Sequence, residues 1–335
     1  MKVVVLGGGS FGTVLAHLAA GKGHPTVLWL RDEEQCRVMQ QTSENVRYLP
    51  GYTLASGLKF STDLQDSLHQ ADLVFFSVPG KAVRSLAQEA RPFLPADCAL
   101  VSTTKGIERG SFSLMSQVLA QETQGQAIGV LSGPNLAKEI IAGVLSGTVI
   151  ASVHDTVRAA VIEALASTRF RVFANTDVFG VELAGALKNI YAIASGLAST
   201  LSPGENTRSM LLTRSLAEMS RFAARLGANP LTFLGLAGVG DLFATCSSPL
   251  SRNFQVGQAL AQGMSLDHVV QDLEQTAEGI NTIAEIKRQA DELQVYMPIV
   301  QGLYAVVFER QPILEVIRQL MTGAPSADVE HELLY

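Results

Sequence analysis

The chain is short of cysteine, of charge and of long apolar runs, and each shortage closes off a class of protein. Its three cysteines, Cys36, Cys98 and Cys246, are scattered and odd in number. They form no C-x-x-C pair and no zinc spacing, so neither a disulfide framework nor a metal site is expected. Free thiols in a reducing cytoplasm are the simplest reading. Only 17% of residues are charged, with a net charge of −6 and a pI near 5.6. That balance argues against a general nucleic-acid binder, although it leaves room for a local basic pocket that holds a small phosphate. The least polar long stretch, "NIYAIASGLASTLSPG" from Asn189 to Gly204, is rich in Ala, Gly and Ser and follows directly on Lys188. A membrane span needs roughly 20 predominantly apolar residues. This stretch reads instead as a helix buried in the core or at a subunit interface, so no stable membrane insertion is expected. A charged leader and cleavage site are also missing from the N-terminus, and no signal peptide is expected. Low-complexity tracts and solenoid repeats are absent as well.

What is present is a globular chain of 335 residues, 47% hydrophobic, long enough for about two domains. It opens with "MKVVVLGGGSFGTVLAHLAA". Val3 to Leu6 is a short β-branched run, the pattern of a strand buried on both faces. Phe11, Val14, Leu15 and Leu18 then recur at helical spacing. Gly7, Gly9 and Gly12 fit G-x-G-x-x-G between that strand and that helix, the context the motif requires. Gly7 permits a tight turn, Gly9 lets a pyrophosphate approach the backbone, and Gly12 lets helix and strand pack closely. The helix start offers N–H groups and the positive dipole end to the phosphates.

Short apolar runs then alternate with helical patterns. Strands are predicted at Val3–Leu6, Thr26–Leu30, Leu73–Val78, Ala99–Thr103, Ala127–Leu131, Thr148–Val153 and Phe170–Phe173. This is the βαβ rhythm of a parallel, doubly wound α/β sheet of Rossmann type. Near Asp177 the rhythm stops. Helical periodicity then runs to Leu320, broken at "LSPGEN", "LGANP" and "CSSPLS". The expectation is a dinucleotide-binding domain over 1–177 and an all-helical substrate-binding, catalytic domain over 178–335.

The second strand ends in "VLWLRD". An acid at this tip bonds the ribose hydroxyls of NAD, whereas an Arg accommodates the extra phosphate of NADP. Arg31 comes first and favours NADPH, with NADH allowed; the other reading of Asp32 is a cap on the next helix. Further strand tips follow at "SVPG", at "STTKGIERG" with Lys105, and at "LSGPNLAKEI" with Gly133 opening a helix. Locally, Lys105 reads equally well as a solvated loop residue.

Lys188 stands in the middle of an apolar helix. Its neighbours at three and four residues are Ala184, Gly185, Tyr191 and Ala192, so no carboxylate pairs with it locally. A lysine so placed must snorkel, find a distant acid or lower its pKa. A desolvated lysine is a good general acid/base. "GLAGVGDLFATCSSPLSRNFQVGQ" adds a glycine-rich loop, Asp241, and the cluster Ser251-Arg252-Asn253. Ser248-Pro249 is a plausible N-cap and N1 pair. It would place the cluster in the first turns of a helix, where backbone donors and dipole favour an anion. Arg252 supplies the forked donor that suits phosphate. Glu278 in "QTAEGINT" is a further acid beside a glycine, equally readable as a helix N-terminal residue.

At these residues the sequence resembles the bacterial soluble NAD(P)-dependent glycerol-3-phosphate dehydrogenases. The match covers nearly the whole chain and includes "GGGSFGT", "STTKGIE", "SGPNLAKE", "VELAGALKNIYAIASG", "GLAGVGDLFATCSSPLSRN", "AEGINT" and "MPIVQGLY". The resemblance implies an oxidoreductase that interconverts dihydroxyacetone phosphate and sn-glycerol 3-phosphate with NADPH or NADH. It implies that Lys188 is the proton acceptor in the oxidative direction. Lys105, Gly133, Asp241, Ser251, Arg252 and Asn253 would bind glycerol phosphate. Asn135 would join them, standing where members usually have Ser or Thr. Ser10, Phe11, Arg31, Tyr48, Lys105, Ala137, Arg252, Thr276 and Glu278 fall at cofactor-contact positions, and Phe11 replaces a common Trp. The resemblance further implies a cytoplasmic homodimer that supplies phospholipid synthesis.

Three other readings are open. A dehydrogenase for another 2- or 3-hydroxy acid would reduce substrates without phosphate, against the Ser-Arg-Asn cluster. A methyltransferase would have no need of Lys188. A non-catalytic dinucleotide sensor would not keep Lys188, Asp241 and Arg252 together.

Overall fold

The computed structural model describes residues 1–266, 268–269 and 278–323. The chain divides into two compact units, Met1–Glu108 with Ser113–Val178, and Arg109–Phe112 with Phe179–Tyr335. The second unit thus claims four residues from the first half of the chain. Phe112 sets its ring edge-on to Phe222 at 6.3 Å, and Gly110 N donates to Glu285 Oε1 at 3.2 Å. A boundary drawn from the end of the βαβ rhythm has no means of seeing such an excursion, because it is made by side chains distant in sequence.

The first unit is built on one eight-stranded sheet. Its strands are β1 (Val3–Leu6), β2 (Thr26–Trp29), β3 (Leu58–Ser61), β4 (Leu73–Phe76), β5 (Ala99–Ser102), β6 (Ile128–Ser132), β7 (Ser146–Ala151) and β8 (Phe170–Asn175). They lie in the order β3-β2-β1-β4-β5-β6-β7-β8. Val3 pairs with Thr26 on one side and Leu73 on the other, so β1 is central and all four of its residues are fully enclosed. A strand covered on both faces needs an unbroken apolar run rather than an alternating one. Strand order reverses beside β1, the switch point where open α/β sheets bind ligands.

Two features differ from the sequence reading. β3 was not expected; "LKFS" is an edge strand with partly exposed residues, and four residues carry too little pattern to register. The sheet is also not wholly parallel, because β7 runs antiparallel to β6. The connection between them, residues 133–145, holds only the short helix Ala137–Ile141.

The described part of the second unit is helical. Val178–Leu201 is its longest helix, followed by Glu205–Arg225, Asp241–Ser247, Arg252–Ala261, Glu278–Glu292, Pro298–Val307 and Ile313–Thr322. Every residue from Gly180 to Leu197 is buried, which explains a composition of Ala, Gly and Ser in place of larger apolar residues. Helix Arg252–Ala261 comes very close. A Cβ on Gly257 would stand 2.0 Å from Ile193 O, and one on Gly196 would stand 2.0 Å from Phe254 O. Among the described residues no helix is long and apolar enough to cross a membrane.

Candidate active site

In the first unit the glycines after β1 form a cradle. Gly7 has φ +120°, and a Cβ there would meet Ser77 O at 2.3 Å; one on Gly12 would meet Gly7 O at 2.1 Å. Neither position admits a side chain, so turn and helix pack directly on the strand. Gly9 is different. It is the N-cap of helix Ser10–Gly21, whose first turn carries no acid, and nothing lies within 4 Å of where its Cβ would stand. The backbone is therefore open on one side at a helix N-terminus, which fits the pyrophosphate of a dinucleotide.

Around this cradle, Ser10 Oγ donates to Tyr48 O at 3.4 Å, and half-buried Phe11 packs on the core. The Tyr48 ring lies 5.3 Å beneath the Arg47 guanidinium. Arg31 is exposed at the end of β2. Asp32 caps the next helix, accepting from Gln35 N at 2.9 Å, and lies 3.9 Å from Arg47. Lys105 is half-buried, and its Nζ donates to Gly133 O at 2.9 Å. The same carbonyl accepts from Asn135 N at 2.8 Å. Gly133 has φ +142°, a conformation that favours glycine. Asn135 Nδ2 and Oδ1 are both buried without a hydrogen-bond partner, so they are available to a ligand; Ala137 starts the short helix just beyond.

In the second unit Lys188 has found its distant acid. Its Nζ donates to Asp241 Oδ1 at 2.6 Å and to Thr245 Oγ1. Thr245 Oγ1 in turn donates to Asp241 Oδ1 at 3.2 Å. Lys188 is 6%, Asp241 1% and Thr245 6% exposed. The pair is thus a buried, hydrogen-bonded ion pair, and an ammonium with three donors keeps one N–H direction beyond these two contacts. Asp241 owes its position to the preceding glycine loop, because a Cβ on Gly238 would stand 2.1 Å from Phe233 O. Thr245 was missed from sequence. Its signal was the spacing of four from Asp241, which puts both on one helix face.

The Ser-Arg-Asn cluster opens a helix, but not where Ser248-Pro249 suggested. Ser248 follows the end of helix Asp241–Ser247, and the next helix begins at Arg252 with Ser251 as N-cap, accepting from Phe254 N at 3.4 Å. Ser251 is buried and Arg252 exposed. Asn253 Oδ1 accepts from Gly279 N at 3.3 Å, tying this helix to the start of Glu278–Glu292. Glu278 opens that helix; Thr276 lies outside the described residues. Cys246, beside the lysine, is 1% exposed, and burial pushes its thiol up to about 12. It is not a reactive thiolate.

Family models of NAD-dependent glycerol-3-phosphate dehydrogenase match both parts of the chain, the N-terminal model over residues 2–158 and the C-terminal model over 177–318. The chain belongs to the NAD-dependent glycerol-3-phosphate dehydrogenase family. Within it, the glycerol-3-phosphate dehydrogenase (NAD(P)+) of Teredinibacter turnerae is 54% identical over 330 residues, spanning 98% of this chain and 97% of the relative. The enzyme of that name from Acinetobacter baylyi is 54% identical over 333 residues, 99% of this chain and 93% of the relative. Among solved structures, glycerol-3-phosphate dehydrogenase from Coxiella burnetii superposes with a TM-score of 0.91 at 34% identity, covering 96% of this chain and 99% of that one. The family is thus shared by the glycine cradle of one unit and the Lys188 cluster of the other.

Proposed function

We propose that this chain interconverts dihydroxyacetone phosphate and sn-glycerol 3-phosphate, with Lys188 as general acid/base. The observation that carries the reading is the Lys188–Asp241–Thr245 cluster, buried and hydrogen-bonded throughout. The glycine cradle would hold the dinucleotide by its pyrophosphate, and the nicotinamide would supply the hydride exchanged with C2 of the substrate. As charge develops on the C2 oxygen, Lys188 Nζ donates a hydrogen bond and then a proton to it. Asp241 and Thr245 hold Nζ in one direction, and the carboxylate balances its charge. Arg252 and the backbone at the start of its helix bind the substrate phosphate. Binding energy from that remote group orients the carbonyl, as effective catalysis requires. Lys105, Gly133 and the unsatisfied Asn135 amide are assigned to substrate by the same reading. Arg31 takes a 2′-phosphate while Asp32 is occupied as a cap, which favours NADPH and permits NADH. The same reading includes a cytoplasmic homodimer supplying glycerol phosphate for phospholipids.

The test follows the loss of reduced-nicotinamide absorbance with dihydroxyacetone phosphate, with NADPH and NADH in parallel. Rapid oxidation with this substrate, and little with unphosphorylated dihydroxyacetone, is expected. Binding of NADPH without oxidation would leave the cofactor assignment and remove the substrate.

A further inference from the structure

Two side-chain amides meet at the carbonyl of Gly8. Asn45 is fully enclosed, and its Nδ2 donates to Gly8 O at 3.0 Å and to Thr13 Oγ1 at 2.8 Å. Its Oδ1 accepts from Tyr48 N and from Gln35 Nε2, each at 3.3 Å. A carboxamide offers two N–H donors and two acceptor sites; here all four are used. Gln35 Nε2 also donates to Gly8 O at 2.8 Å. That carbonyl therefore has a donor for each of its lone pairs.

A trans peptide holds its C=O and the following N–H on opposite sides, and the described chain has no cis peptide bond. Drawing Gly8 O toward Asn45 and Gln35 turns the N–H of Gly9 the other way. No atom lies within 4 Å of where a Cβ on Gly9 would stand. A peptide between two glycines has little steric preference of its own, so its direction must be imposed from outside.

We propose that Asn45 and Gln35 are positioning residues that fix the Gly8–Gly9 peptide with its N–H toward the dinucleotide pyrophosphate. Asn45, fully enclosed, acts through the Gly8 carbonyl, and Gln35 acts through the same carbonyl. The proposal rests on the cofactor reading above. It differs from a general stabilising role in predicting that a change at either residue weakens NADPH and NADH equally, because the pyrophosphate is common to both.

Asn45→Asp tests it with little change of shape. The substitution removes both donors and sets a carboxylate against Gly8 O. Dissociation constants for NADPH and NADH, read from nicotinamide fluorescence without substrate, are expected to rise at least tenfold and by the same factor. KM for the cofactor rises in step, while kcat at saturating cofactor changes much less. Gln35→Met, at a half-buried position, removes one donor and is expected to raise both constants about threefold; it remains informative if Asn45→Asp does not fold. Unchanged affinities in folded variants would overturn the proposal, even with a lower melting temperature for the free protein. A loss confined to NADPH would overturn it too, since that places the effect at the extra phosphate on the adenosine ribose rather than at the shared pyrophosphate. An unmodified enzyme that binds neither nucleotide would instead overturn the cofactor reading on which all this rests.

Discussion

Lys188 is where residue chemistry is most exposed to test. Removing its amine takes away the proposed proton donor and the ammonium that balances the buried Asp241 carboxylate. General acid/base groups contribute roughly 10²–10⁴-fold in rate, so Lys188→Ala is expected to lower kcat by at least about 100-fold. NADPH affinity should hardly change, because Lys188 is not among the cofactor-contact positions. Breaking a buried ion pair on one side costs about 3–5 kcal/mol, whereas an apolar replacement of both partners is often neutral. Lys188→Met combined with Asp241→Leu should therefore recover stability without recovering turnover. Recovery of both would remove Lys188 from the chemistry. Arg252→Ala makes a different demand. It deletes a charge-assisted contact worth roughly 1.5–3 kcal/mol, so kcat/KM for the phosphorylated ketone should fall at least about tenfold. Steady-state kinetics checks it, with cofactor affinity measured in parallel because Arg252 also falls at a cofactor-contact position. Lys188 was legible because an isolated charge in an apolar helix demands a partner. Thr245 and Asn45 were not, because a neutral hydrogen-bonding residue declares its role only once its neighbours are known.

Elements were legible where they are long or buried on both faces. β1, β4 and β5 could be read from continuous apolar runs, and the long helix through Lys188 from its small-residue composition. β3 fell below the length at which a pattern is visible. The antiparallel sense of β7 is a matter of pairing with β6, which propensity does not encode. The start of the helix at Arg252 was misplaced because serine occupies both 248 and 251, and either can cap. The close approach of that helix to Val178–Leu201 gives a prediction of inverted sign. Glycine to alanine inside an exposed helix gains about 1 kcal/mol. At Gly257 the new Cβ would stand 2.0 Å from Ile193 O and 2.8 Å from Leu197 N, atoms of backbone that cannot swing aside. Gly257→Ala should lower the melting temperature by several degrees, whereas Gly21→Ala, with nothing within 4 Å of its Cβ, should leave it level or raise it. Thermal unfolding of the two variants decides, and stabilisation at Gly257 would mean the helices are further apart than described.

At the scale of the whole molecule, one buried acid should shape how stability follows pH. Glu218 is 2% exposed; it accepts from Ile299 N at 2.7 Å, Val300 N at 3.4 Å and Tyr191 Oη at 3.3 Å. It thereby joins the helices Glu205–Arg225, Pro298–Val307 and Val178–Leu201. Burial pushes its carboxyl up from 4.5 to about 7, against the opposing pull of those three donors and the charge of Arg221. Between these two values the folded protein holds a proton that the unfolded chain has released. Stability rises with pH only where the unfolded state binds more protons, so this group makes stability fall as pH rises from about 4.5 to about 7. Its contribution is complete below that window and lost above it. The change across the window is on the order of 3 kcal/mol. Glu218→Gln keeps the shape and an acceptor for Ile299 N but cannot titrate. The unfolding free energy of the parent minus that of the variant should therefore decrease steadily between pH 5 and pH 7 and then level. A difference that grew with pH would mean the carboxylate is charged in the native state, held there by its donors more strongly than burial opposes it.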